Sequence, residues 1–121
     1  MGDLHKLGSK GETFALAVLR KRGHRLLERN FRCPLGELDL ITWHQGTLVF
    51  VEVRAREAHP QRHPAESVGP SKQRRTIRAA QWYLSRRAGA HAPACRFDVL
   101  WITARQGEIL EHGVIEGAFT A

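Results

Sequence analysis

Apolar residues along the chain repeat with two different periods, and the period changes mark the elements. Phe14, Ala15, Val18 and Leu19 recur at the spacing of a helix. Ser9-Lys10-Gly11-Glu12 precedes them and matches a capping box, with Ser9 at the N-cap and Glu12 at N3. This helix is predicted to reach Arg22, where Gly23 ends it. Residues 1–8 are expected to form a loose terminus. His24 to Phe31 has strand-like content in Leu26, Leu27 and Phe31, with weak alternation. Pro34-Leu35-Gly36 is a turn. Glu37 to Trp43 alternates cleanly, with Glu37, Asp39, Ile41 and Trp43 on one face and Leu38, Leu40 and Thr42 on the other.

His44-Gln45-Gly46-Thr47 makes a tight turn. Leu48 to Ala55 is a strong strand, with Val49, Val51 and Val53 opposite Leu48, Phe50, Glu52 and Arg54. Residues 56–70 hold Pro60, Pro64 and Pro70 and are expected to form an exposed loop. Ser71 would then cap a helix from Lys72 to Ala88, ended by Gly89, with Ile77, Ala80, Leu84 and Ala88 facing inward. Beside that stripe lies another of Arg75, Arg78, Trp82 and Arg86. Arg96 to Thr103 is a strand, Arg105-Gln106-Gly107 a turn, and Glu108 to Val114 a shorter returning strand. The order αβββαββ predicts one α/β domain over 1–121, a mixed central sheet of about five strands flanked by helices.

Composition sharpens this picture in three ways. The longest purely apolar run is Phe14 to Leu19, far short of the ~20 residues of a membrane span. The start of the chain lacks the apolar stretch of a signal peptide. Cys33 and Cys95 are too few for a disulfide framework or a zinc site, so a reduced, cytoplasmic protein is expected. Nineteen basic residues stand against twelve acidic ones, giving a net charge of +7. For a small basic domain the commonest acidic partner is nucleic acid.

The hairpin carries the chemistry. If Gln45-Gly46 is the loop, His44 pairs with Thr47, and counting outward puts Asp39 opposite Glu52 and Glu37 opposite Arg54. Two carboxylates facing each other on one sheet face repel. With Ile41, Phe50 and Leu48 around them, that repulsion is poorly screened. Three remedies are open: one acid is protonated, a cation sits between them, or Arg54 and Glu37 balance the charge. Two carboxylates with water are how Mg²⁺ is commonly held. The bland alternative is an edge hairpin with both acids in solvent.

Gly36-Glu37-Leu38-Asp39-Leu40-Ile41 followed by Val49-Phe50-Val51-Glu52-Val53-Arg54-Ala55-Arg56 resembles the D…E-x-K core of the PD-(D/E)XK, restriction-endonuclease-like superfamily. More narrowly the chain resembles the YraN family of bacterial proteins. That likeness also takes in Gly11-Glu12, Arg29-Asn30-Phe31-Arg32, Lys72-Gln73-Arg74, Arg96-Phe97-Asp98-Val99 and Ala118-Phe119. The layout is similar to archaeal Holliday-junction resolvases as well. The resemblance implies Asp39 and Glu52 as metal ligands, with the Val53 carbonyl as a third oxygen. It implies that Glu12 reaches the site from the first helix, and that Gln73 orients a metal water or a phosphate. Arg54 stands where the superfamily has lysine. Arginine stays protonated in proteins, so it can hold a phosphate but cannot serve as a base.

Each feature has a plainer reading. Glu12 would complete the capping box. The arginine stripe would be a solvated face. Lys72 at a helix start opposes the dipole, which hints at a bound anion or an acidic neighbour. His59 and His63 sit among prolines and are not expected to bind metal. Asp98 is expected to pair with Arg96 or a helix residue, the cysteines to lie in or near the core, and Trp43 and Trp101 to pack.

The expected function is a metal-dependent endonuclease using Mg²⁺ or Mn²⁺ on DNA, with branched or damaged structures among the candidates. Its nucleic-acid contacts would be Lys72, Arg74, Arg75, Arg78, Trp82 and Arg86. DNA is favoured over RNA, no membrane is involved, and a homodimer is one candidate assembly. The alternative is a non-catalytic nucleic-acid-binding module with a relic site.

Overall fold

The computed structural model describes residues 2–58, 69–87 and 93–120, with side chains from Lys10 onward. The elements run α1 (Gly2–Lys21), β1 (Arg25–Cys33), β2 (Gly36–His44), β3 (Thr47–Glu57), α2 (Pro70–Arg87), β4 (Ala94–Arg105) and β5 (Glu108–Phe119). This is the order αβββαββ. The strands form one sheet in sequence order. Neighbours are antiparallel except β3 and β4, which α2 connects in parallel. A parallel pair needs such a crossover.

α1 starts well before Ser9, so the segment expected as a loose terminus is helical from Gly2, and Ser9 and Glu12 do not form its capping box. Leu4, Leu7, Gly11, Phe14 and Val18 already keep the helical spacing. A glycine within a helix costs only about 1 kcal/mol, too little for Gly8 or Gly11 to stop it. α2 starts at Pro70, not after a Ser71 cap. Proline suits the first helical position because its missing N–H would have no partner there. The buried residues of α2 are Thr76, Ala79, Ala80 and Tyr83. The expected inward stripe is therefore rotated by about one residue: Ile77 and Leu84 are only half-buried. Ala88, Gly89, His59, His63 and most of the 56–70 loop lie outside the described residues. β3 itself extends to Glu57, and β5 runs on to Phe119 instead of ending near Val114.

The sheet has a core on each face. On one, Ala15 and Leu19 of α1 pack on Leu40, Val49, Val51, Leu100 and Ile102. On the other, Ala79, Ala80 and Tyr83 of α2 pack on Leu38, Ile41, Leu48, Phe50 and Phe97. The two faces of β3 are as the alternation predicts. On β2 they are not, because Leu38 sits on the α2 face with Ile41, while Leu40 faces α1. The break has a match on β1. The registered pairs are Arg29 with Leu40 and Phe31 with Leu38, and Asn30 and Asp39 fall between them. Asn30 has φ of 54°. Asparagine tolerates this left-handed conformation better than most residues. Both strands thus step out of alternation at one level while their register holds; the register shift between them lies at Leu26/Glu28.

A polar cluster closes the α1 face near the start of β4. Asp98, 1% exposed, receives Arg96 in two-pronged fashion at 2.8 and 3.0 Å, and the Gly117 N–H at 3.0 Å. The expected Asp98–Arg96 pair is therefore present. His24 and His44 stack at 4.0 Å between ring centres. His44 Nε2 lies 3.1 Å from the Arg22 carbonyl, an acceptor only, so Nε2 carries the proton. Its Nδ1 then accepts from Arg96 Nη2 at 3.2 Å. His24 Nδ1 meets Thr42 Oγ1 at 2.7 Å, and its buried Nε2 has no partner among the described residues. Burial, then the neighbouring His44 ring, lowers the His24 pKa to about 4.

Candidate metal and nucleic-acid site

Asp39 and Glu52 meet on the α2 face, at the floor of a cleft of about 420 Å³. The β2–β3 register keeps the predicted count, from His44 opposite Thr47 to Leu40 opposite Val51. The ladder stops there. Asp39 instead accepts the Val53 N–H at 2.8 Å through Oδ2. Burial raises the Asp39 pKa to about 6; the Val53 hydrogen bond opposes this and the Glu52 charge adds to it. Glu37 does not face Arg54. It is exposed, registers with Arg32 of β1, and pairs with it at 3.5 Å.

Glu52 is 8% exposed. Its Oε1 lies 2.8 Å from the Lys72 ammonium, so the acidic neighbour that Lys72 called for is this residue. Its Oε2 is buried with no hydrogen-bond partner among the described residues. Two residues on, the Arg54 Nε is in the same position. A buried polar atom left unpaired costs about 1–3 kcal/mol. One orphaned acceptor and one orphaned donor two residues apart on β3 are what a cation with an attached anion would satisfy. The donor set fits a hard divalent ion: a buried and a half-buried carboxylate at an open cleft, with room for water and phosphate oxygens.

Glu12 does not complete a three-acid cluster. It accepts from Asn30 Nδ2 at 3.1 Å and lies 3.6 Å from Arg29, which ties α1 to β1. It acts on Asp39 only through its charge. Among the described residues no three His, Cys, Asp or Glu side chains converge on a metal-sized site. Gln73 follows Lys72 on α2 and is half-buried, its N–H bound to the Gly69 carbonyl. Val53 contributes its N–H to Asp39.

The cleft walls are basic. Arg32, Lys72 and Arg75 line it above the two acids. Arg78 and Arg86 continue the exposed stripe along α2. Trp82 belongs to that stripe but has the Arg86 guanidinium 3.9 Å from its ring centre and Phe31 at 5.9 Å, so one indole face is already covered. Arg74 is exposed and donates to Ser71 Oγ.

A family model described as "Uncharacterised protein family UPF0102" matches residues 11–102, a span holding both acids, Lys72 and Asp98. The chain belongs to this family. Proteins named UPF0102 from Syntrophotalea carbinolica and Herminiimonas arsenicoxydans are similar to it. The first is 45% identical over 93% of this chain and 90% of its own length; the second is 46% identical over 89% and 86%. A third, from Nitrosococcus oceani, is 46% identical over 83% of this chain and 81% of its own. The UPF0102 span opens at Gly11 and closes at Ile102, so it takes in the helix, hairpin and crossover that build the cleft.

Sequence reasoning missed the second cluster. His24 passed as the first residue of a strand and His44 as part of a turn, and nothing in their spacing says that they stack. It also missed the Arg87–Glu28 pair at 2.8 Å, which joins α2 to β1. Cys95 was expected near the core and is exposed, while Cys33 is half-buried in the cleft wall; both are free thiols. No described helix is long and apolar enough to cross a membrane.

Proposed function

We propose that this UPF0102 protein is a divalent-metal-dependent endonuclease that hydrolyses phosphodiester bonds in DNA, working in the reducing cytoplasm. One observation carries the reading. Two acids, the half-buried Asp39 and the buried Glu52 with its orphaned oxygen, sit at the floor of a cleft walled by Arg32, Lys72 and Arg75. Acidic floors with basic walls suit a phosphate bridged to the protein by a cation.

Asp39 and Glu52 would hold Mg²⁺ or Mn²⁺, with the Val53 carbonyl as a further oxygen. Such an ion, when bound, lowers the pKa of a water and offsets charge on the phosphate. The chain's own residues do the rest. The Val53 N–H fixes the Asp39 carboxylate before any ligand arrives. Arg54 offers a buried, unsatisfied donor to a phosphate oxygen, and being always protonated it stabilises charge without moving a proton. Gln73 would orient a water or a phosphate beside them. Glu12 would act from α1 through its bond to Asn30 and through its charge on Asp39. Arg32, Arg75, Arg78 and Arg86 hold the strand by its phosphates, and Lys72 and Arg74 stand at its entrance. A homodimer is the assembly by which so small a chain would address two strands.

The test is cleavage of single-stranded, duplex, flap and four-way-junction DNA, plus RNA, with Mn²⁺, beside Glu52→Ala. Cleavage lost in Glu52→Ala is expected and would name the substrate class. The Lys72–Glu52 bridge neutralises Glu52 without any metal, which favours a second reading, a nucleic-acid-binding module. Binding throughout the panel with no cleavage would establish that one instead.

A further inference from the structure

Lys72 and a divalent cation would compete for the same carboxylate. The Lys72 ammonium lies 2.8 Å from Glu52 Oε1, on a side chain 54% exposed at the helix start that lines the cleft. The Glu52 carboxyl is buried and offers one remaining oxygen, Oε2. A divalent ion drawn in by that oxygen and by Asp39 would face a positive charge one carboxylate away, in a half-buried site where screening is weak. The flexible lysine stem gives way more easily than the buried strand residues do. Arg32 and Arg75 share the cleft wall and bar retreat in their direction by like charge. A phosphate entering the cleft gives the displaced ammonium a new partner.

We infer that Lys72 is a positioning residue with two partners, Glu52 in the metal-free protein and a nucleic-acid phosphate in the loaded one. It thereby couples the binding of divalent cation and nucleic acid. The inference rests on the proposed metal site. Its consequence is a linkage that reciprocity makes symmetric: nucleic acid tightens metal binding by the factor by which metal tightens nucleic-acid binding. Neither Arg54 nor the α2 arginines can do this, since none of them touches a carboxylate of the pair among the described residues.

The experiment titrates Mn²⁺ into the full chain, followed by the electron paramagnetic resonance of free Mn²⁺, with and without a DNA duplex carrying non-hydrolysable linkages. Wild type, Lys72→Met, Lys72→Arg and Asp39→Asn are compared, each checked for folding by circular dichroism. Lys72→Met removes the competitor, so Mn²⁺ alone should bind roughly tenfold tighter than to wild type, the size of one charge-assisted contact. The duplex should tighten Mn²⁺ binding more in wild type and in Lys72→Arg than in Lys72→Met, where only the phosphate's own contact with the ion remains; an equal gain in all three would overturn the inference. Binding by Lys72→Met alone, with wild type silent, would also support the competition. Equal Mn²⁺ affinity in wild type and Lys72→Met would overturn the inference and spare the metal site. No Mn²⁺ binding in either, or undiminished binding in Asp39→Asn, would overturn both.

Discussion

The buried His24 and the half-buried Asp39, on opposite faces of the sheet, should titrate against each other. His24 has a folded pKa of about 4 against an ordinary 6.5. Between those values the unfolded chain binds more protons, so His24 makes stability fall as pH drops from 6.5 to 4. Asp39 has a folded pKa of about 6 against 3.8. There the folded chain binds more protons, so Asp39 makes stability rise as pH drops from 6 to 3.8. Each gap corresponds to about 3 kcal/mol, somewhat less for the half-buried Asp39. The two windows overlap, the signs oppose, and the sizes nearly cancel. Wild type in chelating buffer should therefore show little pH dependence from this pair. Asp39→Asn removes the compensation and should lose about 3 kcal/mol more than wild type between pH 6.5 and 4. His24→Gln, which keeps a partner for Thr42, should instead gain relative to wild type as pH falls. Urea unfolding at half-unit pH steps reads both differences, and the other carboxyls drop out of the comparison. Parallel profiles for wild type and Asp39→Asn across pH 4 to 6.5 would refute the burial of Asp39 as its governing term.

Three further perturbations have expected outcomes. A Cβ at Gly113 would stand 2.6 Å from the Trp101 indole, which lies over the backbone there; Gly113→Val should cost about 1–3 kcal/mol in urea unfolding, because the ring and strand must part. Arg96→Leu strips the charge partner from Asp98 and leaves it, among the described residues, the Gly117 N–H, so thermal unfolding should show a loss of about 3–5 kcal/mol. Arg75→Ala with Arg78→Ala should weaken duplex binding evenly across sequences and lower the slope of log affinity against log salt by about 1 per residue, with Mn²⁺ affinity unchanged.

Much of this fold is legible in the chain, for a local reason. The β2–β3 register follows from a two-residue loop alone, so counting from Gln45-Gly46 gives the pairs from His44–Thr47 to Leu40–Val51 and leads to the two acids that follow the last of them. The faces of β3 follow from strict alternation. What the pattern could not give were features set by tertiary contact. The inward face of α2 is off by about one residue, because Ile77 and Leu84 look like better core residues than Thr76 and Ala79, yet small residues fit the close approach to β2. There Gly36, with its φ of 155°, would bring a Cβ within 3.3 Å of the Arg75 carbonyl. The partner of Lys72 could be foreseen as acidic from the helix dipole, but only the crossover brings α2 over Glu52. Leu38 has the spacing of a same-face neighbour of Leu40, and strict period two hides the local step that the left-handed Asn30 marks on β1.

That step also bears on what the acids are for. A strand under pressure for stability alone would carry valine or isoleucine at position 52, between Val51 and Val53 in a sheet packed on both sides. Its neighbour β2 would keep its alternation through Leu38. Here an αL asparagine on β1 and a carboxyl held near pKa 6 on β2 share one level of the sheet, and β3 carries a glutamate with an orphaned oxygen and an arginine with an orphaned donor. Each is a local cost, and Asp39 and Glu52 line one cleft. His24 Nε2 and Glu28 Oε2 are unpaired elsewhere among the described residues, but only on β3 do an unpaired acceptor and an unpaired donor fall two residues apart on one strand. Costs gathered in one place are the mark of a functional site. An unmet acceptor with an unmet donor two residues on would suit a ligand that brings both a cation and an anion.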